Sequence, residues 1–408
     1  MKTTKNTLRK STLLIASIAM GMASGQAFAS DAEGEFHGYF RAGVGSNSKG
    51  GSQACFGLEG VPKYRFGNEC DLYGEFGYTK ELAKAGNGAS FVGTVMASTY
   101  SPSSDIGDNH MDLAQMFVEA KNVPFLKGAS AWVGKRYYDR PDIHVLDFKY
   151  LHGDGVGAGV SGVSVGPGKF SYALFRNDVD KSVAATRHSF IYEGIPSNAN
   201  GSLKLDATVI RGDDQKSDVA KVANGWSFSV VHKQEKVLGG DNTLALQYGS
   251  GSGIKMGGTD IHATSDIKRL RVFDNMIWQI TPDFSGSLVG VWQRDKSDAG
   301  NTTWTSIGVR PVYALDDNFK LILDLGHDNI KPANGGDAQK LTKLTFAPTL
   351  AMGKGFWSRP ELRAFVTYAR WNTAAQLAAT PESSLSSSGV FGGSTNGTTI
   401  GVQVETWF

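Results

Sequence analysis

The chain has 408 residues with 51 glycines, two cysteines and a formal net charge of +2. Its first 29 residues read as a secretory signal peptide: Lys2, Lys5, Arg9 and Lys10 form a basic head, an apolar run follows from Leu13 to Met22, and Ala27-Phe28-Ala29 is a small-x-small cleavage site. Removing them leaves 379 residues (408 − 29) with 37 bases (41 − 4) against 39 acids, and this slightly acidic balance excludes a basic nucleic-acid-binding protein. No later stretch reaches about 18 consecutive apolar residues, so a transmembrane helix is not expected.

From residue 30 onward the chain alternates apolar and polar residues, the period of two that marks β-strands. Phe36, Gly38 and Phe40 face opposite to Tyr39 and Arg41. Cys55 and Cys70 follow, fifteen residues apart. An exported chain meets an oxidising compartment, which favours a disulfide closing this loop. Loop entropy gives such a bridge about 3 kcal/mol. Next, Leu72, Gly74, Phe76 and Tyr78 alternate with Asp71, Tyr73, Glu75 and Gly77. Gly157-Ala158-Gly159-Val160-Ser161-Gly162 matches GxGxxG, but no helix follows it, and a glycine-rich turn is expected there instead of a nucleotide site.

Gly239-Gly240-Asp241-Asn242, Thr281-Pro282-Asp283 and Asp316-Asp317-Asn318 punctuate further strands. Between them, Phe284, Gly286, Leu288, Gly290 and Trp292 alternate with Ser285, Ser287, Val289, Val291 and Gln293. Phe319, Leu321, Leu323 and Leu325 alternate with Lys320, Ile322, Asp324 and Gly326. Pro311 and Pro348 lie in strand-like runs, where the missing N–H predicts a bulge or a strand start. Pro381 to Gly397 is rich in Ser and Gly and reads as a long exposed loop with no core of its own. In the last strand Ile400, Val402, Val404 and Phe408 oppose Thr399, Gln403, Glu405 and Trp407.

A soluble sandwich or propeller and a transmembrane barrel both accommodate such a pattern. The signal peptide, the alternation and the terminal phenylalanine together favour the barrel, apolar outside and polar inside. No HExxH, EF-hand loop or GxSxG occurs, the eight histidines are scattered, and nothing selects a catalytic set. The aromatics on the polar face are more telling. Tyr39 shares its face with Arg41, Tyr73 with Glu75 and Asp71, and Trp407 with Glu405 and Gln403. Rings beside ionisable groups suit a pyranose, which has an apolar face and a rim of hydroxyls.

These residues carry a resemblance. Phe36-His37-Gly38-Tyr39-Phe40-Arg41, Lys63 to Cys70, Gly134-Lys135-Arg136-Tyr137-Tyr138, Gly308-Val309-Arg310-Pro311, Trp357-Ser358-Arg359-Pro360 and Phe365 to Trp371 resemble the maltoporin family of sugar-specific outer-membrane porins. The resemblance runs from Phe36 to Phe408. It implies an 18-stranded antiparallel barrel over residues 30–408, assembled as a homotrimer, with a third loop folded inward. It places Tyr39, Tyr73, Trp371 and Trp407 on an aromatic row, and Arg41, Arg65, Glu75, Arg140 and Asp147 on an ionisable track. It also implies the Cys55–Cys70 disulfide in the first loop.

Departures from the family sit in the middle of that path. Lys149 replaces the tyrosine that pinches the constriction, and His152 a track acid, with Asp154 close by. Ile106 replaces the aromatic lent by a neighbouring subunit, Asp241 another aromatic, and Ala114 a track arginine. Lys149 either pairs with Asp147 or Asp142, or projects into the pore, where His152 would add charge below about pH 6.5. The expected substrate-binding set is thus Tyr39, Arg41, Arg65, Tyr73, Glu75, Arg140, Asp142, Asp147, Lys149, His152, Trp371 and Trp407. Facilitated diffusion of maltodextrin-type sugars is the implied function, without catalysis or cofactor. The expected partners are a sugar, outer-membrane lipid and lipopolysaccharide, and sister subunits; a periplasmic sugar-binding protein or a phage stays open. A weakly selective or anion-preferring porin, and an adhesion or phage-docking barrel, are the alternatives.

Overall fold

The computed structural model describes residues 28–29, 33–102, 109–178, 184–212 and 222–408. Eighteen antiparallel strands form a closed barrel. They are β1 Glu35–Asn47, β2 Asp71–Lys84, β3 Ser90–Pro102, β4 His110–Lys121, β5 Ser130–Tyr137 and β6 Asp154–Val165. Next come β7 Gly168–Asp178, β8 Ala184–Asn198, β9 Gly201–Gly212, β10 Gly225–Val237, β11 Gly240–Gly251 and β12 Lys268–Thr281. The last six are β13 Phe284–Ser297, β14 Gly300–Ala314, β15 Phe319–Lys331, β16 Gln339–Ala351, β17 Glu361–Trp371 and β18 Asn396–Trp407. Each pairs with its neighbour in sequence, and β1 pairs with β18 from Tyr39↔Trp407 to Asn47↔Thr399, so the barrel has no free edge. In hydrocarbon this closure is obligatory, because no water is present to satisfy an unpaired ladder. Of the expected signal peptide, residues 1–27 lie outside the described residues, and Phe28–Ala29 pairs with Lys84 and Ala83.

The alternation read from sequence sets the two faces. In β17, Leu362, Val366 and Tyr368 are exposed outward, whereas Glu361, Arg363, Phe365, Thr367, Ala369 and Trp371 are buried inside. Three loops then fill much of the lumen: the first (48–70), the inward loop (138–153) and the last (372–395). Their apolar side chains, among them Phe56, Tyr64, Phe66, Leu146, Phe148, Leu151, Leu385 and Phe391, join inward wall residues such as Phe273, Val289, Trp304 and Ile322 in one core. Each such burial contributes about 1.5–3 kcal/mol. Gly308 and Gly326 are register partners, and a side chain at either would collide with the ring of Tyr64, which lies across both. The wall thus carries a slot for the first loop, closed by a 2.8 Å hydrogen bond between Tyr64 Oη and Ser306 Oγ. The Cys55–Cys70 disulfide is formed within this loop.

Two sequence expectations are corrected and a third is refined. Residues 157–162 lie within strand β6 and form no turn; Gly157 and Gly159 give room to the backbone of β7. Pro311 and Pro348 lie inside β14 and β16 without a bulge. The β14–β15 ladder holds one register on both sides of Pro311, from Val309↔Leu325 to Val312↔Ile322, and omits only the pairs between; Pro348 does the same against β17. The stretch Pro381–Gly397 is a mostly exposed or half-buried loop up to the start of β18, as expected, but it does contribute to the core, through Leu385 and Phe391. It is preceded by α1 Thr373–Ala378, whose first turn is capped by Asn372, with Ala375 N donating to Asn372 Oδ1 at 3.0 Å.

Candidate functional site: the lumen of the barrel

The inward loop is pinned to the wall at points all round the lumen. Lys204 on β9 pairs with Asp139 at 2.5 Å, and Arg187 on β8 donates to the carbonyls of His152 and Asp154 at 3.0 and 2.7 Å. Gln247 on β11 donates to the carbonyl of Tyr150 at 2.8 Å, and Arg310 on β14 to that of Val145 at 3.4 Å. Between these fixings Asp147 adopts φ 51°, ending the short turn His144–Leu146. The chain then buries Phe148 and leaves Asp147 and Lys149 exposed.

Beneath the first and inward loops lies a network of buried ions. Glu405 accepts from Arg359 and Arg363 on one oxygen at 3.1 Å each. On the other it meets Tyr39 Oη and His144 Nε2 at 3.0 Å and Arg65 at 3.3 Å. Glu361 holds Lys320 at 2.7 Å and Arg359 and Arg363 at 3.0 Å. Glu69 binds Arg65 at 2.7 Å and Arg41 at 3.4 Å, and Asp71 binds Arg41 at 2.5 Å. Farther along, Asp324 pairs with Arg310 at 2.7 Å and Lys343 at 3.1 Å. Removing one member of a buried cluster strands its partners, which is the costly direction.

On the less covered side, Tyr73, Tyr39 and Trp407 lie on three neighbouring strands, and Tyr39 is the register partner of Trp407. The rings of Tyr39 and Tyr73 are 6.2 Å apart. Trp357 extends the row, 6.0 Å from Trp407. Glu75 accepts from Tyr73 Oη at 2.6 Å and Tyr137 Oη at 3.2 Å and pairs with Arg140 at 3.4 Å. The guanidinium of Arg140 lies 3.4 Å over the Tyr137 ring.

Most of the residues singled out from sequence therefore gather in one place. Tyr39, Arg41, Tyr73, Glu75, Arg140 and Trp407 form one continuous strip. Arg65 lies under it, nearly buried, donating also to Tyr39 Oη. Trp371 points inward but is only 3% exposed, covered by the rings of Phe56 and Phe391 at 6.0 Å each. It is thus part of the core and separate from the open row. Asp142 and Lys149 are cross-strand neighbours in a two-residue ladder, yet among the described residues neither forms an ion pair. His152 departs from its expected behaviour: burial first, then Lys255, push its imidazole down to about 4, with Asp154 opposing. Ile106 lies outside the described residues.

Residues 35–408 match the LamB porin family. The chain belongs to that family. A solved barrel shares its fold. The OccK10 (OpdN) porin of Pseudomonas aeruginosa aligns with a TM-score of 0.50 at 10% identity, over 92% of this chain and 98% of its own. An anion-selective porin from Comamonas acidovorans aligns with 0.49 at 11% identity, over 94% and 100%. Membership of this family and the closed barrel indicate a channel of the bacterial outer membrane and not an enzyme.

Several residues of this porin's lumen were not selected from sequence. Glu69, Glu361, Arg359 and Arg363 form the ionic network around Glu405, which the sequence singles out only as a neighbour of Trp407, and Trp357 and His144 flank Trp407, with His144 5.5 Å from Trp357. The only signal for Trp357 and Arg359 was their place in a family-like stretch. Arg271 had none.

Proposed function

We propose that this porin carries sugars across the outer membrane by facilitated diffusion, with maltodextrin-type oligosaccharides as the first candidates. The observation that supports this most is the row Tyr73, Tyr39, Trp407 and Trp357, running across adjacent strands beside Glu75, Arg41 and Arg140. A sugar ring stacks its apolar face on each aromatic in turn and exchanges hydrogen bonds between its hydroxyls and the ionisable strip. Each stacking contact contributes on the order of 1 kcal/mol, enough to guide and weak enough to release. Tyr39, Tyr73, Trp407, Arg41, Glu75 and Arg140 are the proposed contact residues, with Asp142, Asp147 and Lys149 on the facing loop. The working form is a homotrimer, as the family resemblance implies. The outward apolar surface of β1, β17 and β18, formed by Ala42, Val44, Leu362, Ala364, Val402 and Val404, is a suitable face for lipid or a sister subunit. Planar-bilayer recordings test the proposal: neutral oligosaccharides added to one side should block the ion current saturably. Current insensitive to every sugar would refute it.

A further inference from the structure

Between the first and inward loops and the wall lies a cavity of about 330 Å³, within the range of small-molecule sites. Lys149, His152, Arg269, Arg271, Asp147 and Trp304 are among the residues that line it. Its charges do not cancel. Arg269 is held by Asp295 through two bonds of 2.7 Å, which removes that pair from the count. Among the lining residues Asp147 then stands alone against Arg271 and Lys149, while Lys255 and Asp154, outside the lining, act on His152 with opposite signs.

Arg271 is the unusual member. It is 5% exposed, yet it donates only to amide oxygens, those of Gln293 at 2.9 Å and Gln247 at 3.1 Å. Its guanidinium sits 4.7 Å over the Phe148 ring, and its Nη2 has no hydrogen-bond partner among the described residues. By contrast, Arg310 and Arg363 are matched to carboxylates, and both terminal nitrogens of Arg187 are spent on carbonyls. Burying a cation without a counter-charge is costly, and a planar guanidinium is suited to receive two oxygens of one acid group.

We infer that this cavity is a docking station for the acid group of an anionic sugar, a uronate or a sugar phosphate, entering from the long-loop end. The acid group meets Lys149 at the exposed mouth and Arg271 behind it, while the sugar ring lies over Val61 and Pro62 of the first loop. This inference rests on the sugar-channel reading and narrows its substrate class. Bilayer recordings on the full porin, parent against Arg271→Gln and Lys149→Gln, test it with trigalacturonate, glucose 6-phosphate, maltotriose and inorganic phosphate. In the parent, trigalacturonate or the sugar phosphate should reach half-block at about tenfold lower concentration than maltotriose. Whichever of the two acts at the lower concentration identifies the preferred acid. Both variants should raise that concentration about tenfold; Arg271→Gln should leave maltotriose block unchanged, and Lys149→Gln, at a residue that also faces neutral sugar, should change maltotriose block far less than block by the acidic sugar. Lys149 is exposed, so its variant carries the test even if the Arg271 variant does not fold. Equal block by neutral and acidic sugars, or variants identical to the parent, overturns the inference while the sugar channel stands. Block by inorganic phosphate with none from any sugar overturns the sugar-channel reading and the inference together.

Discussion

The two sides of the lumen differ in how they treat the same residue types. On the side of β14–β17 the ionisable groups are sealed: the side chains of Arg310, Asp324, Lys343, Glu361 and Arg363 are at most 3% exposed, under the first and inward loops. On the side of β2 and β5 they are partly exposed: those of Glu75, Arg140 and Arg136 are 15, 18 and 20% exposed, beside half-buried tyrosines. Buried ions with full complements fix loops in place, whereas wetter ones remain available to a passing solute. In the proposed path the sealed side holds the channel's shape and the open side guides the solute. Substitutions on the two sides should therefore separate stability from sugar binding.

The largest expected effect is on the sealed side. Asp324→Ala strands Arg310 and Lys343 and should cost about 3–5 kcal/mol. Arg140→Ala, on the open side, should cost under about 1 kcal/mol. The temperature at which the folded barrel converts to the unfolded form on a semi-native gel checks both, and similar shifts would erase the distinction. Trp371→Ala follows at about 3–5 kcal/mol, since it opens a cavity between Phe56 and Phe391, and the same gel assay reads it.

Smaller effects sharpen the open side. Lys149→Tyr removes a charge that acts on a passing anion with about 1 kcal/mol in water-like surroundings, so reversal potentials in a salt gradient should lose several-fold of anion preference. The added ring should also strengthen block by neutral maltodextrins. The smallest effect is that of pH. Because His152 is depressed to about 4, it stays neutral from pH 8 to about 5, and ion preference should be flat across that range as far as this residue decides it. Anion preference should rise only as pH falls through about 4. A rise centred near 6.5, absent in His152→Gln, would show the imidazole to be solvated instead.

Sequence made the strands and their faces legible. The alternation around Tyr73, Leu288 and Leu323 assigns inward and outward sides as the barrel has them. It could not say which inward residues stay uncovered. That depends on contacts between distant segments, such as Phe56 with Trp371 and Phe148 with Phe273, which no local period encodes. Trp407 and Trp371 have the same inward register, yet one is 36% exposed and the other 3%. Composition hid the part of the last loop in the core, where two apolar residues among serines and glycines, Leu385 and Phe391, are buried. His152 differs from expectation for the same reason: burial among segments distant in sequence, and then Lys255 from another loop, depress its imidazole.

The most direct test of the account is sugar block of ion current in Trp407→Ala and Trp371→Ala, compared with the parent. Trp407→Ala should bind maltodextrin several-fold more weakly at unchanged conductance, the loss of one stacking contact. Trp371→Ala, in those channels that remain folded, should bind it as the parent does. Equal binding by all three would contradict the proposed path, and so would a loss confined to Trp371→Ala.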